Sequence, residues 1–573
     1  MRFPLLLILI LCSVVTASFA DGPVVYTQVV HTQNGDVRGV VLDAAESFKR
    51  LPYAAPPVGD LRWKPPADPD NWNGVKDAKE FSFVCPQMQS IPIGDEDCLY
   101  LNVFRPKDAQ GPLPVIVFIH GGHNATDSAS WIHNGVNTYD ASDFAKNGNV
   151  VVVTINYRLG ALGFIAHPAL SKESKGAGSG NYGYMDQLQA LKWVHRNIAA
   201  FGGDPDKVSL MGASSGGGGI TVLMTSPQSK GGLFHRAIIH SGQFRFQTLE
   251  QAEDTGRTFS QTLGCPPPHE LRCMRYNRTW QDIVKAMPGG HDGGGSVNGP
   301  RHFLPVVYDG GFLPAPPLEI IRQGKHHHVP ILIGNAVEET SWIYFADSKD
   351  IHTEHDYRKT IKDEYKPIAD QVLRLYPAND FIELVPDYVE VEGALRLRPT
   401  IQPSPRKAYN AISADRWFVC PARSLLQALS VSQSEFVGRF LSTRTLPGTM
   451  GYLGASHGFD VVTVFGTFGY LGDPPVNTVT PTPDDLALTV KFQKTWADFA
   501  RSGNPGDFWN RYDAAQDNYV MFNKPMSTGT HLRKAQCDYW YPDANAPYVE
   551  LKDIKKPRVV NEGSLPPSAL PKQ

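Results

Sequence analysis

Apolar runs of strand length, each bounded by turn residues, recur along the chain. The runs are Val115–Ile119, Val150–Ile155, Val208–Met211, Ala237–Ile239 and Ile331–Ile333. Uninterrupted runs of this kind are typical of strands covered on both faces, because neither face of such a strand needs polar side chains. The pattern therefore predicts a parallel sheet buried in the middle of the molecule.

Between these runs, apolar residues recur every three or four positions, which places them on one face of a helix. Strands that alternate with such helices indicate an α/β fold with a large, mostly parallel central sheet and helices on both faces. The two clearest helical series are Met185, Leu188, Leu191, Val194 and Ile198, and Leu488, Phe492, Trp496 and Phe499.

The first twenty residues have the pattern of a secretory signal rather than of a folded element. Arg2 supplies a positive charge, Leu5–Leu11 is an apolar run, and Ser18 and Ala20 are small residues spaced for cleavage before Asp21. The alternative is a membrane anchor, which would need a longer apolar run. We therefore expect a secreted, extracellular protein with no stable membrane insertion.

The composition of the remaining chain suits one large globular domain. The hydrophobic fraction of the 573 residues is 42% and the charged fraction 19%, which is enough apolar material for a sizeable core. A formal net charge of −3 gives no electrostatic reason to expect nucleic-acid binding. We assign residues 1–20 to the signal peptide, 21–556 to a single domain and 557–573 to a disordered tail, and leave the oligomeric state open.

The cysteines indicate a disulfide-bonded protein. Six remain once Cys12 is assigned to the signal peptide, and an even number in a secreted chain favours disulfides. Sequence alone does not choose the pairing. Proximity favours joining Cys85 to Cys98 and Cys265 to Cys273, which leaves Cys420 and Cys537. In chain order the six are Cys85, Cys98, Cys265, Cys273, Cys420 and Cys537.

Two other surface features complete this picture. Asn-x-Ser/Thr acceptors for glycans occur at Asn124 and Asn277. We expect modification of Asn277, whereas Asn124 lies beside a proposed catalytic loop, where a glycan would obstruct the site. No His/Cys spacing matches a zinc site, and we read His326–His328 as a solvated loop, so neither a metal nor a cofactor is expected.

A candidate nucleophile follows the third apolar run. Gly212-Ala213-Ser214-Ser215-Gly216 is a G-x-S-x-G pattern in the strand–turn context that it requires. Small neighbours let the backbone turn sharply and present the hydroxyl of Ser214 above the sheet edge. Ser215 is a poorer candidate, because Ala213 would then occupy the first glycine position.

A serine nucleophile needs a base, a group that orients the base, and donors for the oxyanion that forms during attack. The loop His120-Gly121-Gly122-His123 follows a strand and can supply such donors. We predict an oxyanion hole built from the N–H groups of Gly122, His123 and Ser215. The side chain of His120 is expected to be structural.

A series of motifs in the same order resembles the type-B carboxylesterase/lipase family, which includes cholinesterases and fungal lipases. The similarity extends over roughly Val29–Trp540 and implies an α/β-hydrolase fold with long insertions and an activity on small-molecule carboxylic esters. The motifs are Glu96–Val103, Asn156–Gly160, Asn181–Gly183, Ala200–Pro205, Phe234–Ala237 and Ser241–Gly242.

The resemblance also implies a catalytic triad. Ser214 matches the nucleophile of the family, and His457, which precedes Gly458, matches the base. Glu339 matches the acid because it lies five residues after Gly334. Glu338 is the competing acid. The chain order of serine, acid and histidine is that of α/β-hydrolases.

The family resemblance also implies two structural ion pairs and exposes three departures. The pairs are Arg62 with Glu96 and Arg158 with Asp186. The departures are Ala213, where the family usually has Glu, Ser215, where it usually has Ala, and His123, where it usually has Gly or Ala. We expect the missing carboxylate to reduce the rate or alter the pH dependence, and the His123 ring to narrow the pocket or contact the leaving group.

The segment between the first two cysteines bears on the substrate. Pro86–Asp97 is short and contains no aromatic residue, unlike the long lid of the family's lipases or the choline-binding loop of cholinesterases, which uses cation–π attraction. The sequence therefore predicts an esterase for soluble substrates. A lipase or sterol esterase with its lid elsewhere, and a non-catalytic binding protein, remain alternatives.

Overall fold

The computed structural model describes residues 24–287, 305–307, 311–341, 348–385, 388–391, 394–397, 400–445, 454–470 and 479–541. The expected signal peptide and C-terminal tail lie outside these ranges, so both stay predictions.

A mixed sheet of eleven strands forms the centre of the described chain. In space the strands follow the order β1-β2-β3-β5-β4-β6-β7-β8-β9-β10-β11. Neighbours from β5 to β10 in this order pair in parallel, and the strands at both edges pair antiparallel. The strands are β1 (Val40–Val41), β2 (Ala45–Pro52), β3 (Tyr100–Pro106), β4 (Leu113–Ile119), β5 (Val151–Ile155), β6 (Gly203–Ala213), β7 (Arg236–His240), β8 (Ile331–Ala336), β9 (Val437–Ser442), β10 (Tyr519–Phe522) and β11 (Ser527–Gly529).

Helices connect the strands and cover the sheet. The described α-helices are α1 (Ser142–Gly148), α2 (Gly160–Phe164), α3 (Pro168–Glu173), α4 (Tyr182–Asn197), α5 (Ser215–Thr225), α6 (Leu249–Thr262), α7 (Glu270–Tyr276), α8 (Trp280–Lys285), α9 (Pro317–Arg322), α10 (Glu354–Glu364), α11 (Ala369–Leu375), α12 (Pro405–Ala414), α13 (Cys420–Ser432), α14 (Phe459–Phe465), α15 (Pro483–Ser502) and α16 (Lys534–Trp540).

Alternate residues of the central strands enter two different cores. On β4, Val115, Val117 and Ile119 join the core that includes residues of α4, α5, α9 and α13. Ile116 and Phe118 join the core that includes residues of α1, α14 and α15. Successive side chains of a strand point to opposite faces, so the sheet is buried on both sides. The five apolar runs lie in the sheet, except that Val150 directly precedes β5. The two helical series lie in α4 and α15, except that Ile198 lies in the 3₁₀ turn after α4. These positions confirm the predicted α/β architecture.

The chain between β8 and β9 is a long insertion with an apolar core of its own. Helices α10, α11 and α12 contribute to this cluster together with Trp540 of α16. A π-helical turn, Asp415–Val419, joins α12 to α13. The insertion reaches the sheet edge, since the Phe418 ring packs 4.6 Å from the His457 ring.

Covalent and ionic contacts tie the insertions down. The structure contains the disulfides Cys85–Cys98, Cys265–Cys273 and Cys420–Cys537. The first two are the pairs that proximity favoured, and the third is the pair that then remained. Both expected ion pairs are present. The guanidinium of Arg62 donates to Glu96 at 2.8 Å, and that of Arg158 donates to Asp186 at 2.7 Å.

Candidate active site

The turn between β6 and α5 holds Ser214 in a conformation that L-residues seldom adopt, with φ 54° and ψ −120°. A Cβ at Gly212 would lie 2.7 Å from the carbonyl carbon of Gly216. A Cβ at Gly216 would lie 2.1 Å from the carbonyl oxygen of Ile119. Both flanking positions therefore require glycine, because any side chain there would collide with the main chain.

Main-chain hydrogen bonds fix this turn to its neighbours. The N–H of Ser214 donates to the carbonyl of His240 at 2.8 Å, and the carbonyl of Ser214 accepts from the N–H groups of Gly218 at 3.0 Å and Gln243 at 3.1 Å. The strained residue is thus tied to the ends of both β6 and β7. Such local strain persists when the surrounding structure determines the conformation.

A carboxylate and an imidazole meet at the carboxyl ends of the parallel strands, the edge of the sheet where Ser214 also lies. Glu339 follows β8 and His457 precedes α14, and Nδ1 of His457 lies 2.6 Å from Oε2 of Glu339. The N–H of His457 also donates to the carbonyl of Glu339 at 3.2 Å. This arrangement orients the imidazole and leaves its Nε2 for a second partner.

The other oxygen of the Glu339 carboxylate is held by three donors. Oε1 accepts from the Ser241 hydroxyl at 2.6 Å, the Asn335 amide at 3.1 Å and the Ala336 N–H at 2.9 Å. Glu339 has no exposed surface, and hydrogen bonds offset the cost of burying a charge. The sequence motifs include Ser241 without a role for its side chain. Its position directly after β7 is the feature that indicates a place near the site.

The competing carboxylate of Glu338 has different partners. Its Oε1 lies 2.6 Å from Nζ of Lys407, and its Oε2 accepts from the N–H of Ala455 at 2.9 Å. Glu339, one residue later, is therefore the carboxylate that bonds to His457.

The loop after β4 passes directly over the turn at Ser214. A Cβ at Gly121 would lie 3.0 Å from the Cβ of Ser214. Gly122 has φ 86°, and a Cβ there would lie 2.2 Å from the carbonyl oxygen of Thr126. The loop therefore brings main-chain groups, rather than side chains, next to Ser214, which is what an oxyanion site requires.

A sequence model of the carboxylesterase family matches residues 26–540. This chain belongs to that family. The para-nitrobenzyl esterase of Bacillus subtilis (strain 168) is 33% identical over 490 residues, which cover 83% of this chain and 90% of the relative. The fumonisin B1 esterase of Sphingopyxis macrogoltabida is 32% identical over 517 residues, which cover 88% of this chain and 87% of the relative.

The carboxylesterase also matches solved structures. One structure of a PNB esterase superposes with a TM-score of 0.71 at 31% identity, covering 89% of this chain and 99% of that protein. The match confirms the α/β-hydrolase fold that the sequence motifs implied. Together with its relatives, it identifies this carboxylesterase as a carboxylic ester hydrolase.

Two histidines of the loop after β4 have different environments. The His120 ring is buried, stacks 4.5 Å from the Tyr157 ring, and has a pKa lowered by that burial, all of which fit a structural residue. His123 is half-buried. Burial and the nearby charges of His457 and Arg245 lower the pKa of His123 to about 4, so its ring is neutral at neutral pH.

The two glycan acceptors of the carboxylesterase differ in exposure. Asn124 is 3% exposed, and its side-chain amide donates to the Tyr184 hydroxyl at 2.8 Å, which leaves no room for a glycan in the folded state. Asn277 is exposed at the end of α7.

Neither a metal site nor a membrane-spanning helix is found in the part of the carboxylesterase that the structure describes. No group of three or more His, Cys, Asp or Glu there is placed to hold a metal ion, and no described helix is long and apolar enough to cross a membrane. The expectation of a solvated loop at His326–His328 is wrong in part. His326 is buried, with Nε2 2.9 Å from Oε1 of Gln433, because it packs against the end of α13.

Proposed function

We propose that this carboxylesterase is a secreted serine esterase that hydrolyses small-molecule esters through an acyl-enzyme on Ser214. One observation carries the proposal. The hydrogen bond of 2.6 Å between His457 and Glu339 lies at the sheet edge that also holds Ser214 in its sharp turn. Since Glu339 occupies Nδ1, the Nε2 of His457 is the nitrogen that takes the serine proton.

Acylation follows from these roles. The Nε2 of His457 takes the proton of the Ser214 hydroxyl while Oγ attacks the carbonyl carbon of the ester. The N–H groups of Gly122, His123 and Ser215 donate to the carbonyl oxygen as it becomes negative. The imidazolium, stabilised by Glu339, then gives its proton to the departing alcohol, and the acyl group stays on Ser214.

Deacylation repeats the sequence with water as the nucleophile. His457 takes a proton from the water molecule while the water oxygen attacks the acyl carbon, and the same N–H groups hold the oxyanion. The carbon–oxygen bond to Ser214 breaks, and His457 returns the proton to the Ser214 oxygen. The products are a carboxylic acid and the free enzyme, so the cycle balances in atoms and charge.

Covalent labelling tests the proposal. A fluorophosphonate probe should modify the wild-type enzyme on Ser214, as peptide mass spectrometry would locate, and should leave Ser214→Ala unlabelled. We expect Ser214→Ala to lower kcat by about 10⁴-fold or more with a p-nitrophenyl ester. Absence of labelling in the wild type would favour a non-catalytic binding protein instead.

A matched control is available in the strand that leads to the nucleophile. Ser209 is buried in β6, and its hydroxyl has no hydrogen-bond partner among the described residues. Ser209→Ala should keep both labelling and turnover. The control separates loss of the nucleophile from a general effect of removing a buried hydroxyl.

We further propose that the substrates are soluble esters. The Cys85–Cys98 disulfide closes a loop with a sequence separation of only 13, which is too short to form a lid of its own. A series of p-nitrophenyl esters from acetate to palmitate should give the highest kcat/KM for short acyl chains, with no jump in rate above the solubility limit. Preference for long chains with such a jump would favour a lipase or sterol esterase.

A further inference from the structure

The loop after β4, which we call the oxyanion loop, contains two consecutive residues in the left-handed region of backbone conformation. His123 has φ 56° and Asn124 has φ 59°. Asparagine and histidine enter this region more often than most residues, but each still costs free energy there relative to an extended or helical conformation. Such a pair therefore needs contacts from outside the loop to keep it in place.

Two hydroxyl groups hold the ends of this loop. The N–H of Asn124 donates to Oγ of Ser215 at 3.0 Å. At the other end, the Tyr157 hydroxyl donates to the carbonyl of His120 at 2.9 Å. We call these two contacts, Asn124 with Ser215 and His120 with Tyr157, the loop anchors.

Both loop anchors are buried. Ser215 is 2% exposed and Tyr157 has no exposed surface. A buried donor that loses its acceptor is costly. The two anchors therefore hold both ends of the segment that contains Gly121, Gly122 and His123.

We propose that the Ser215 side chain is a positioning group, which keeps the oxyanion loop in the conformation that aims its N–H groups at the developing oxyanion. This role is separate from that of the Ser215 main-chain N–H, and it rests on the oxyanion site of the proposed function. Without Oγ, the N–H of Asn124 loses this acceptor, and the loop relaxes away from its left-handed conformation. Stabilisation of the transition state then falls, while binding of the uncharged ester changes little.

The variant Ser215→Ala tests this inference. We expect kcat to fall about tenfold with KM within about twofold of the wild type, as for an interaction made mainly in the transition state. The inhibition constant of a trifluoromethyl ketone should rise by the same factor, because its hemiketal oxyanion uses the same donors. Ser209→Ala is the matched control and should change neither quantity.

A second substitution tests the conformational cause. Glycine adopts φ near +56° without a steric penalty, so His123→Gly should restore part of the lost kcat when it is added to Ser215→Ala. If Ser215→Ala proves too unstable to assay, Tyr157→Phe removes the anchor at the other end of the loop without creating a cavity, and it should produce the same parallel changes in kcat and inhibition.

The outcomes distinguish this inference from the proposed function. If Ser214→Ala remains fully active, the proposed function itself is wrong. If Ser214→Ala is inactive but Ser215→Ala behaves like Ser209→Ala, only the positioning role is overturned. A fall in kcat with an unchanged inhibition constant for the ketone would also overturn it, because the oxyanion site would then be intact.

Discussion

A fully buried carboxylate supports the proposed base. Glu339 receives hydrogen bonds on both oxygens, one shared with His457 and three from its own surroundings. Bonds between charged and neutral groups are stronger than bonds between neutral groups. The donors to Oε1 therefore fix the carboxylate in the plane that orients the imidazole.

The hydrogen bond from the Ser241 hydroxyl is the shortest of the three that Oε1 of Glu339 accepts, at 2.6 Å. Ser241→Ala should lower kcat about tenfold with little change in KM, because Glu339 loses a charge-assisted hydrogen bond and orients His457 less firmly. Steady-state kinetics with a short-chain ester would measure this, with Ser209→Ala as the control. A rise in KM at unchanged kcat would assign Ser241 to substrate binding instead.

The titration of His123 makes a prediction about stability. Its pKa is about 4 in the folded enzyme and about 6.5 in an unfolded chain. Between these values the unfolded chain binds a proton that the folded chain does not. The contribution of His123 to the free energy of unfolding is therefore complete above about pH 6.5 and falls, by up to about 3 kcal/mol, as the pH drops to 4.

His123→Asn removes this titration while keeping a residue that tolerates positive φ. We expect the free energy of unfolding of the variant, measured by urea denaturation at a series of pH values, to decrease less between pH 6.5 and 4 than that of the wild type. Parallel curves for the two proteins would show that His123 titrates alike in both states.

At the scale of elements, a buried ion pair joins the loop after β5 to helix α4. Arg158 and Asp186 form two side-chain hydrogen bonds of 2.7 Å, and both side chains are almost completely buried. Burial raises the pKa of Asp186, and the charge of Arg158 opposes that rise. Removal of one partner would leave the other charge buried and uncompensated.

Asp186→Asn should therefore lower the free energy of unfolding by about 3–5 kcal/mol. The matched control is Asp254→Asn on α6, where Asp254 pairs with Arg257 and both side chains are largely exposed, so stability should change little. Chemical denaturation of the three proteins measures both values. Equal stability of the two variants would mean that water or a neighbouring group compensates for the loss at Arg158.

At the scale of the whole molecule, three disulfides and an exposed glycan acceptor fit the proposed export of the enzyme. One disulfide, Cys420–Cys537, has a sequence separation of 117 and joins α13 to α16. Disulfides persist in oxidising compartments, and long loops restrict the unfolded chain most. The insertion core is thereby tied to the C-terminal part of the described chain.

Expression in a glycosylating secretory host tests export and modification together. The protein in the medium should begin at Asp21, and its mass should fall on treatment with a glycosidase specific for N-linked glycans. Asn277→Gln should abolish that shift, whereas Asn124→Gln should leave it unchanged, because Asn124 is buried. A glycan at Asn124 would contradict the fold of the oxyanion loop.

The sequence by itself determined the main strands and helices and the sharp turn at Ser214. Continuous apolar runs and helical spacing are local properties, and burial on both faces of the sheet follows from them. The need for glycine on both sides of Ser214 could also be predicted from the sequence, because the crowding arises within the turn and against the adjacent strand β4.

Only the tertiary structure decided which partners the polar side chains around that turn have. Glu338 and Glu339 are neighbours in sequence, yet one bonds to Lys407 and the other to His457. The contact of Ser215 with Asn124 likewise joins segments that are far apart in the chain. A local pattern specifies backbone conformation and burial, whereas the partner of a polar side chain depends on which distant segments the packed sheet brings together.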